Sequence, residues 1–471
     1  MAEAQTTNAP GCLQAGVAQV DISPPAGVHL SGDISGHRPA KLLGDPLYAR
    51  ALVLESNGRR MCIVALDVTI VTGRYTAFIR EAAGQRFGLE PDAVMVHATQ
   101  THSAPSIGTI MLDEDFPPLP PEFEWVGGGE ARYSQWAAER AVEAIGLAVE
   151  RLEPAQIGVG SGIEGRMAFN RRAVMRDGTV GMPGPKWQEP LGPTWIRYIE
   201  GPIDPELGVI CLRRDDARMA SVIASYTCHP VHVFPKPIIS ADWPGALSAE
   251  LAAMHGGECV PVVINGACGN INPWPPFDPD YVEDHRRMGR VLAEGAAKVI
   301  ETLQFTAEAE LGWSVTRLPI PIRAVPPEEL AWAQGVLAAS PTPQWVDEAR
   351  SGVDPNWMVA ASIQSVHLML QRGPNLDYEV QVLRIGDAAI VGLPGEPFAE
   401  LGLAIKMASP FAHTYIAHCT SQYVGYIPFA DALKRGGHEA STRFWAKLAP
   451  EAFEMIVEGA TEELRRVNPH V

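Results

Sequence analysis

The sequence predicts an α/β protein: a large single catalytic domain with mixed β-sheets flanked by helices. Three observations carry that prediction. Short runs rich in β-branched and apolar residues alternate with amphipathic helical stretches along the whole chain. Gly, Pro and Asp separate these runs, as turn chemistry requires. No internal repeat, heptad or low-complexity tract interrupts the alternation, which excludes solenoids and coiled coils. At 471 residues and 46% apolar, the chain is long enough to bury a core and too apolar to be disordered.

Strands are expected over Gly16–Ile22, Ala49–Glu55, Met61–Val68, Val94–Thr99, Ala155–Val159, Val209–Arg213, Val222–Thr227 and Val260–Asn265. Four more are expected at Glu308–Val315, Glu379–Ile385, Ala388–Gly392 and His413–Ala417. Helical periodicity marks Tyr75–Arg86, Arg132–Arg151, Pro244–Met254, Val282–Leu303, Pro327–Leu337, Phe398–Met407 and Pro450–Arg466. Strands and helices interleaved in this way fit one or two mixed sheets. Residues 1–15 read as a flexible N-terminus and residues 16–471 as the catalytic domain. Leu112–Gly129 and Ala173–Pro205 are Pro-, Gly- and Trp-rich and too long for simple connections. Such loops are either substrate walls or packed surface excursions.

Lys and Arg number 37 against 55 Asp and Glu, a formal charge of −18 at pH 7. Phosphate backbones and anionic lipid surfaces repel such a chain, so neither a nucleic acid nor a membrane is an expected partner. No apolar run approaches the length of a spanning helix. The opening MAEAQTTNAPG lacks the basic and apolar regions of a signal peptide, and a cytoplasmic location is the expectation. Seven cysteines without a CxxC pair read as buried thiols in a reducing compartment. The sequence leaves a homo-oligomer open.

Four segments share one grammar, a β-run ending in polar, ligand-type residues. The first is His97-Ala98-Thr99-Gln100-Thr101-His102-Ser103-Ala104-Pro105. His97 lies inside the run and reads as a satisfied core histidine; His102 follows it and is exposed at the strand's end. In the second, His229 stands where Pro230 stops a strand. Downstream, Asp242 reads either as a helix cap or as a site residue. The third, Asn265-Gly266-Ala267-Cys268-Gly269-Asn270-Ile271-Asn272-Pro273, is a small-residue loop that lets a ligand approach the backbone. In the fourth, Glu396 sits on a strand-to-helix turn ahead of Tyr426 and His438. Histidines with a carboxylate and a tyrosine, without thiolates, are the donor mixture of a hydrolytic zinc site.

Together these segments resemble the neutral/alkaline (non-lysosomal) ceramidase superfamily, zinc-dependent amidases that hydrolyse N-acyl bonds. The resemblance opens at Gly16-Val17-Ala18-Gln19-Val20-Asp21-Ile22-Ser23-Pro24. It continues through the His102 loop, Asn170-Arg171-Arg172, His229-Pro230, Ser240-Ala241-Asp242, the Asn270 loop, Gly395-Glu396 and Tyr426-Ile427. It implies the fold of that family's N-terminal catalytic domain. It also implies Zn2+ held by His102, His229, Glu396 and Tyr426, with Asp242 behind these ligands. Gln100 replaces the first of two family histidines, as a neutral ligand or a donor beside the metal. Asn270 and Asn272 replace an acidic residue and a serine, and His438 stands for a tyrosine that stabilises the oxyanion. Arg171 matches a substrate-side arginine. The chain ends soon after Arg466, where ceramidases continue into an immunoglobulin-like domain.

The reading that follows is a zinc-dependent hydrolase acting on a small soluble amide other than ceramide, with zinc-activated water as nucleophile. An ester, lactone or carbamate hydrolase on the same metal makes the same chemical demands. The losses at Asn270 and Asn272 motivate a third reading, a metal-binding pseudoenzyme. Phe123–Gly129, Pro185–Trp195 and Trp274–Asp278 are expected to wall the substrate pocket.

Overall fold

In the strand Gln14–Asp21, Ala15 and Val17 enter one hydrophobic core while Ala18 and Val20 enter another. That period-two split is what a strand with both faces covered requires. It sets the plan of the computed structural model, which describes residues 12–184, 195–276, 278 and 280–468. The larger sheet has eight strands. From one edge to the other they are Val262–Asn265, Met219–Tyr226, Glu206–Arg214, Glu153–Ile163, Gln14–Asp21, Tyr48–Ser56, Arg59–Leu66 and Val94–Ala98. Only the two outermost pairings are parallel. The smaller sheet orders Leu311–Pro321, Asn375–Ile385, Ala388–Gly392 and His413–Ala417, the last pair parallel.

The two sheets face each other across Leu52, Ile63, Met95, Ile210 and Ile264 from one and Leu311, Leu383, Ile390 and Tyr415 from the other. Helices Gly73–Phe87 and Ala131–Glu150 cover half of the larger sheet's outer face through Ile79, Ala141 and Ile145. Helices Asp242–His255 and His285–Ile300 cover the other half through Leu247, Leu251 and Leu292. Ala399–Ala408 and Ala452–Val467 back the smaller sheet through Leu401, Ile405, Ile456 and Leu464. The result is a four-layer sandwich, and the expected mixed sheets flanked by helices are observed.

All twelve expected strands and seven expected helices are present, with shifted ends. Leu13 N–H already bonds Ala307 O at 2.8 Å and the first strand starts at Gln14, so order begins within residues 1–15; residues 1–11 lie outside the described residues. The helix Pro355–Arg372 was not foreseen. Asp354 caps it through Asn356 N–H, Pro355 starts it and Gly373 follows it, all legible start and stop signals. Ala173–Met175, Val180–Gly181 and Ile196–Ile199 form a small sheet within one expected loop. Among the described residues no helix is long and apolar enough to cross a membrane. All seven cysteines are free thiols, six of them buried.

The strand ends of both sheets converge. His418 N–H donates to Asn265 O at 3.1 Å, and Ala98 N–H to Cys419 O at 3.2 Å. The loops after Val94–Ala98, Met219–Tyr226, Val262–Asn265 and His413–Ala417 therefore leave from one place, as open α/β sheets place their ligand sites.

Gly208 lets the sheets approach, since a Cβ there would stand 2.2 Å from the Tyr415 ring. Gly208→Val is expected to cost about 1–3 kcal/mol by overpacking. Chemical denaturation should show a lower midpoint with an unchanged slope.

Candidate active site

The His229 imidazole is fixed from behind. Its Nδ1–H donates to Cys268 O at 2.6 Å and Ile271 O at 3.1 Å, so neutral His229 presents a bare Nε2. That Nε2 lies 3.1 Å from Glu396 Oε2, both side chains being buried. His102 is held in the same tautomer, donating from Nδ1 to Gly32 O at 3.0 Å. Its ring packs edge-on to His229 with centroids 5.5 Å apart. Burial, then the His229 charge, pull the His102 pKa down to about 3, so its imidazole is neutral in ordinary buffers.

Glu396 reaches this point because its turn has no room to move. Gly395 adopts φ +70°, and a Cβ on Gly269 would meet Glu396 O at 2.4 Å. Tyr423 O–H donates to Glu396 Oε1 at 2.7 Å. Burial opposes the charge on Glu396, but His229, when its Nε2 carries a proton, and then Tyr423 hold its carboxyl well below the usual range.

A second wall grows from Arg171. Its Nε donates to Glu439 Oε1 at 2.9 Å and its Nη1 to Asn272 Oδ1 at 3.3 Å, while the guanidinium lies 5.5 Å from the Tyr426 ring centroid. Arg172 Nη1 takes the other Glu439 oxygen at 2.6 Å, and Arg172 and Arg435 share Glu200. Burial pushes Glu439 up, but Arg171 and Arg172 bring it down to about 2. His438 packs against Tyr426 at 5.5 Å and stacks on Trp445 at 6.4 Å.

These walls enclose a cavity of about 350 Å³ lined by Gln100, His102, Arg171, His229, Asn272, Glu396, Tyr426 and His438. Eight of the ten residues singled out in the sequence thus share one cavity. Two do not. Asn270 turns away: its Oδ1 accepts Ala399 N–H at 2.9 Å and its Nδ2 donates to Glu400, so it caps the helix behind the cavity. Asp242 serves His232 rather than any expected ligand, accepting from His232 Nδ1 at 2.9 Å and from the N–H of Val233 and Trp243. Gln100 is buried at φ +68°, a left-handed backbone that costs a non-glycine residue energy, and its Oε1 accepts the Cys268 thiol. His97 is the satisfied core histidine expected, bonded to His418 O and Asn265 N–H.

Sequence reasoning missed Tyr423 and Trp445, and it saw Glu439 only as a carboxylate beside His438, without its pairing to Arg171 and Arg172. Trp274 lines the cavity as expected. Phe123 and Trp125 instead pack on Trp345 outside it, and 185–194 lies outside the described residues.

The donor chemistry fits a cation. Bare Nε2 and carboxylate oxygen are both acceptors, and at 3.1 Å they need a proton or a metal between them. Imidazoles whose Nδ1–H is tied to a backbone carbonyl have the orientation of metal ligands. Yet among the described residues no three His, Cys, Asp or Glu side chains group closely enough to hold a metal. The spacing is that of a pair, His229 with Glu396, with His102 and Tyr426 on the adjoining walls.

No family model matches the chain, and no curated protein matches it in sequence. Its fold is that of the neutral ceramidases. It superposes on the neutral ceramidase from Pseudomonas aeruginosa with a TM-score of 0.71 and 18% identity, over 97% of this chain and 74% of that one. A ceramidase complexed with C2 gives 0.69 and 18%, over 96% and 75%.

Because Glu439 is held at about 2 when folded against 4.5 in the unfolded chain, its stabilisation is full above pH 4.5 and lost as pH falls towards 2. Being buried, it is worth on the order of 3 kcal/mol. Glu439→Gln should lower the melting temperature at pH 7 and flatten its fall between pH 4.5 and 2. An unchanged acid limb would refute the ion-pair account.

Proposed function

We propose that this protein is a zinc-dependent hydrolase that cleaves the amide (N-acyl) bond of a small soluble substrate other than ceramide. The observation that carries this reading is the His229 Nε2 against the Glu396 carboxylate, both buried, on the wall of a cavity open on one side. His229 and Glu396, with Tyr426 and His102, would hold the ion. Bound there, zinc supplies Lewis acidity and an acidified water. The chain's own groups do the rest. With its Nδ1–H held by Gly32 O, His102 has one nitrogen to offer, Nε2, which would serve as proton acceptor only where the other three residues hold the ion without it. Arg171 and His438 border the space where an acyl oxygen gains charge, and the burial of Arg171 strengthens its contact there. Asn272 steadies Arg171 and supplies no nucleophile.

The substrate side follows from size and lining. A cavity of about 350 Å³ lies at the small end of ligand pockets, and Ile34, Ile70, Met111, Phe234 and Trp445 make much of its wall apolar. That supports a compact amide over a two-chain lipid. Amide turnover has its support in the ceramidase fold; an ester or carbamate would use the same groups.

Protein supplied with zinc should retain about one ion per chain, and His229→Ala or Glu396→Ala should empty the site. Full occupancy in both variants, measured by elemental analysis, would sink the metal assignment. In one detergent buffer, short N-acyl amides should be cleaved well above any long-chain ceramide. A faster ceramide would make this an ordinary ceramidase.

A further inference from the structure

Gln100 lines the cavity just past the strand Val94–Ala98, its backbone N–H on Val68 O at 3.1 Å. The residue is 1% exposed, and its φ of +68° lies in the left-handed region that disfavours any side chain. Backbone held at such a cost at a cavity wall directs attention to what the side chain presents there.

A primary amide has two unlike ends, an oxygen that accepts and a nitrogen that donates. Gln100 Oε1 accepts the Cys268 thiol at 3.6 Å. The other acceptor near that sulfur, His418 Nε2, lies farther off at 3.9 Å, and His418 Nδ1 gives its hydrogen to Gly266 O. Gln100 Nε2 has no hydrogen-bond partner among the described residues, yet it is absent from the fully buried polar atoms that lack one. The nitrogen end therefore reaches open space, and the space that Gln100 lines is the cavity.

Cys268 also places that nitrogen beside His229. Its carbonyl takes His229 Nδ1–H at 2.6 Å, while its thiol takes the oxygen of Gln100. One residue thus turns two side chains, giving the cavity the Nε2 of His229 and the N–H donors of Gln100. Metals take an amide through its oxygen. An ion between His229 and Glu396 would meet the wrong end of Gln100.

We propose that Gln100 is a donor to the substrate and no metal ligand, its Nε2–H bonding the acyl oxygen of an amide seated beside His229 and Glu396. Every N-acyl compound brings that acceptor to the site, and a fixed donor there gains strength as the oxygen gains charge. For the reaction this rests on the amide-hydrolase reading; the contact itself needs no turnover.

Gln100→Met keeps the length of the side chain and removes both polar ends. Gln100→Glu keeps an acceptor for Cys268 and turns an oxygen to the cavity. In the zinc-supplied protein Gln100→Met should leave zinc affinity unchanged, where loss of a ligand would weaken it by about tenfold or more. By calorimetry, with or without zinc, N-benzoylethylamine should bind both variants about three- to tenfold more weakly, the worth of one neutral hydrogen bond. The melting temperatures should not move. Zinc weakened tenfold in Gln100→Met, or amide binding that is absent or untouched by both substitutions, would overturn the proposal. An amide held through Gln100 in a protein that retains no zinc, or never cleaves it, would overturn the zinc or the hydrolase reading and leave this one standing.

Discussion

Two backbone carbonyls, Cys268 O and Ile271 O, decide which nitrogen of His229 faces the cavity. Everything at the centre of the molecule depends on that constraint. With Nδ1 committed to donating, Nε2 of the neutral ring is bare, and it meets a carboxylate that also accepts. The contact is tolerable with a proton or a cation between the two atoms, and the surrounding fold keeps it from relaxing. Gly269, pressed against the Glu396 carbonyl, ties the loop that grips His229 to the turn that carries Glu396. Tyr423 takes the other carboxylate oxygen. One loop thus sets an imidazole tautomer, a carboxylate position and the floor of the cavity.

The opposite wall rests on a different economy of charge. Arg171, Glu439, Arg172, Glu200 and Arg435 alternate in sign through a mostly buried chain of ion pairs. Burying such groups is costly, and a chain of this kind is weak evidence of stability for its own sake. Its structural effect is orientation. Arg171 is held at Nε and Nη1, which leaves Nη2 as its one unpartnered nitrogen. The chain also links the loop after Phe169–Asn170 to the segment at 435–439.

Asn270 and Asn272 are two residues apart, but Asn270 precedes the short strand Ile271–Asn272 and caps a helix, while Asn272 lies in it and reaches Arg171. Asp242 had two readings, helix cap or site residue. It took neither, because φ +52° turns its carboxylate towards His232 and the Val233 N–H. Pro355–Arg372 lies outside the expected helices although Asp354, Pro355 and Gly373 bracket it with start and stop signals.

By itself the sequence determined the alternation of strands and helices, the mixed sheets they form, and the donors that stand at the strand ends. These are local matters of hydrophobic period, turn residues and side-chain chemistry. It also put His102, His229, Asn272, Glu396 and Tyr426 in the segments beyond those ends, the family resemblance added Gln100, Arg171 and His438, and all eight line one cavity. What the tertiary structure decided was distance, tautomer and pairing. His229 and Glu396 lie 167 residues apart in sequence and meet at 3.1 Å, a contact no local pattern encodes. The roles of Tyr423, Glu439 and Trp445 arise in the same way. Each depends on a partner brought to the cavity by chain segments that the packing of two sheets alone makes neighbours.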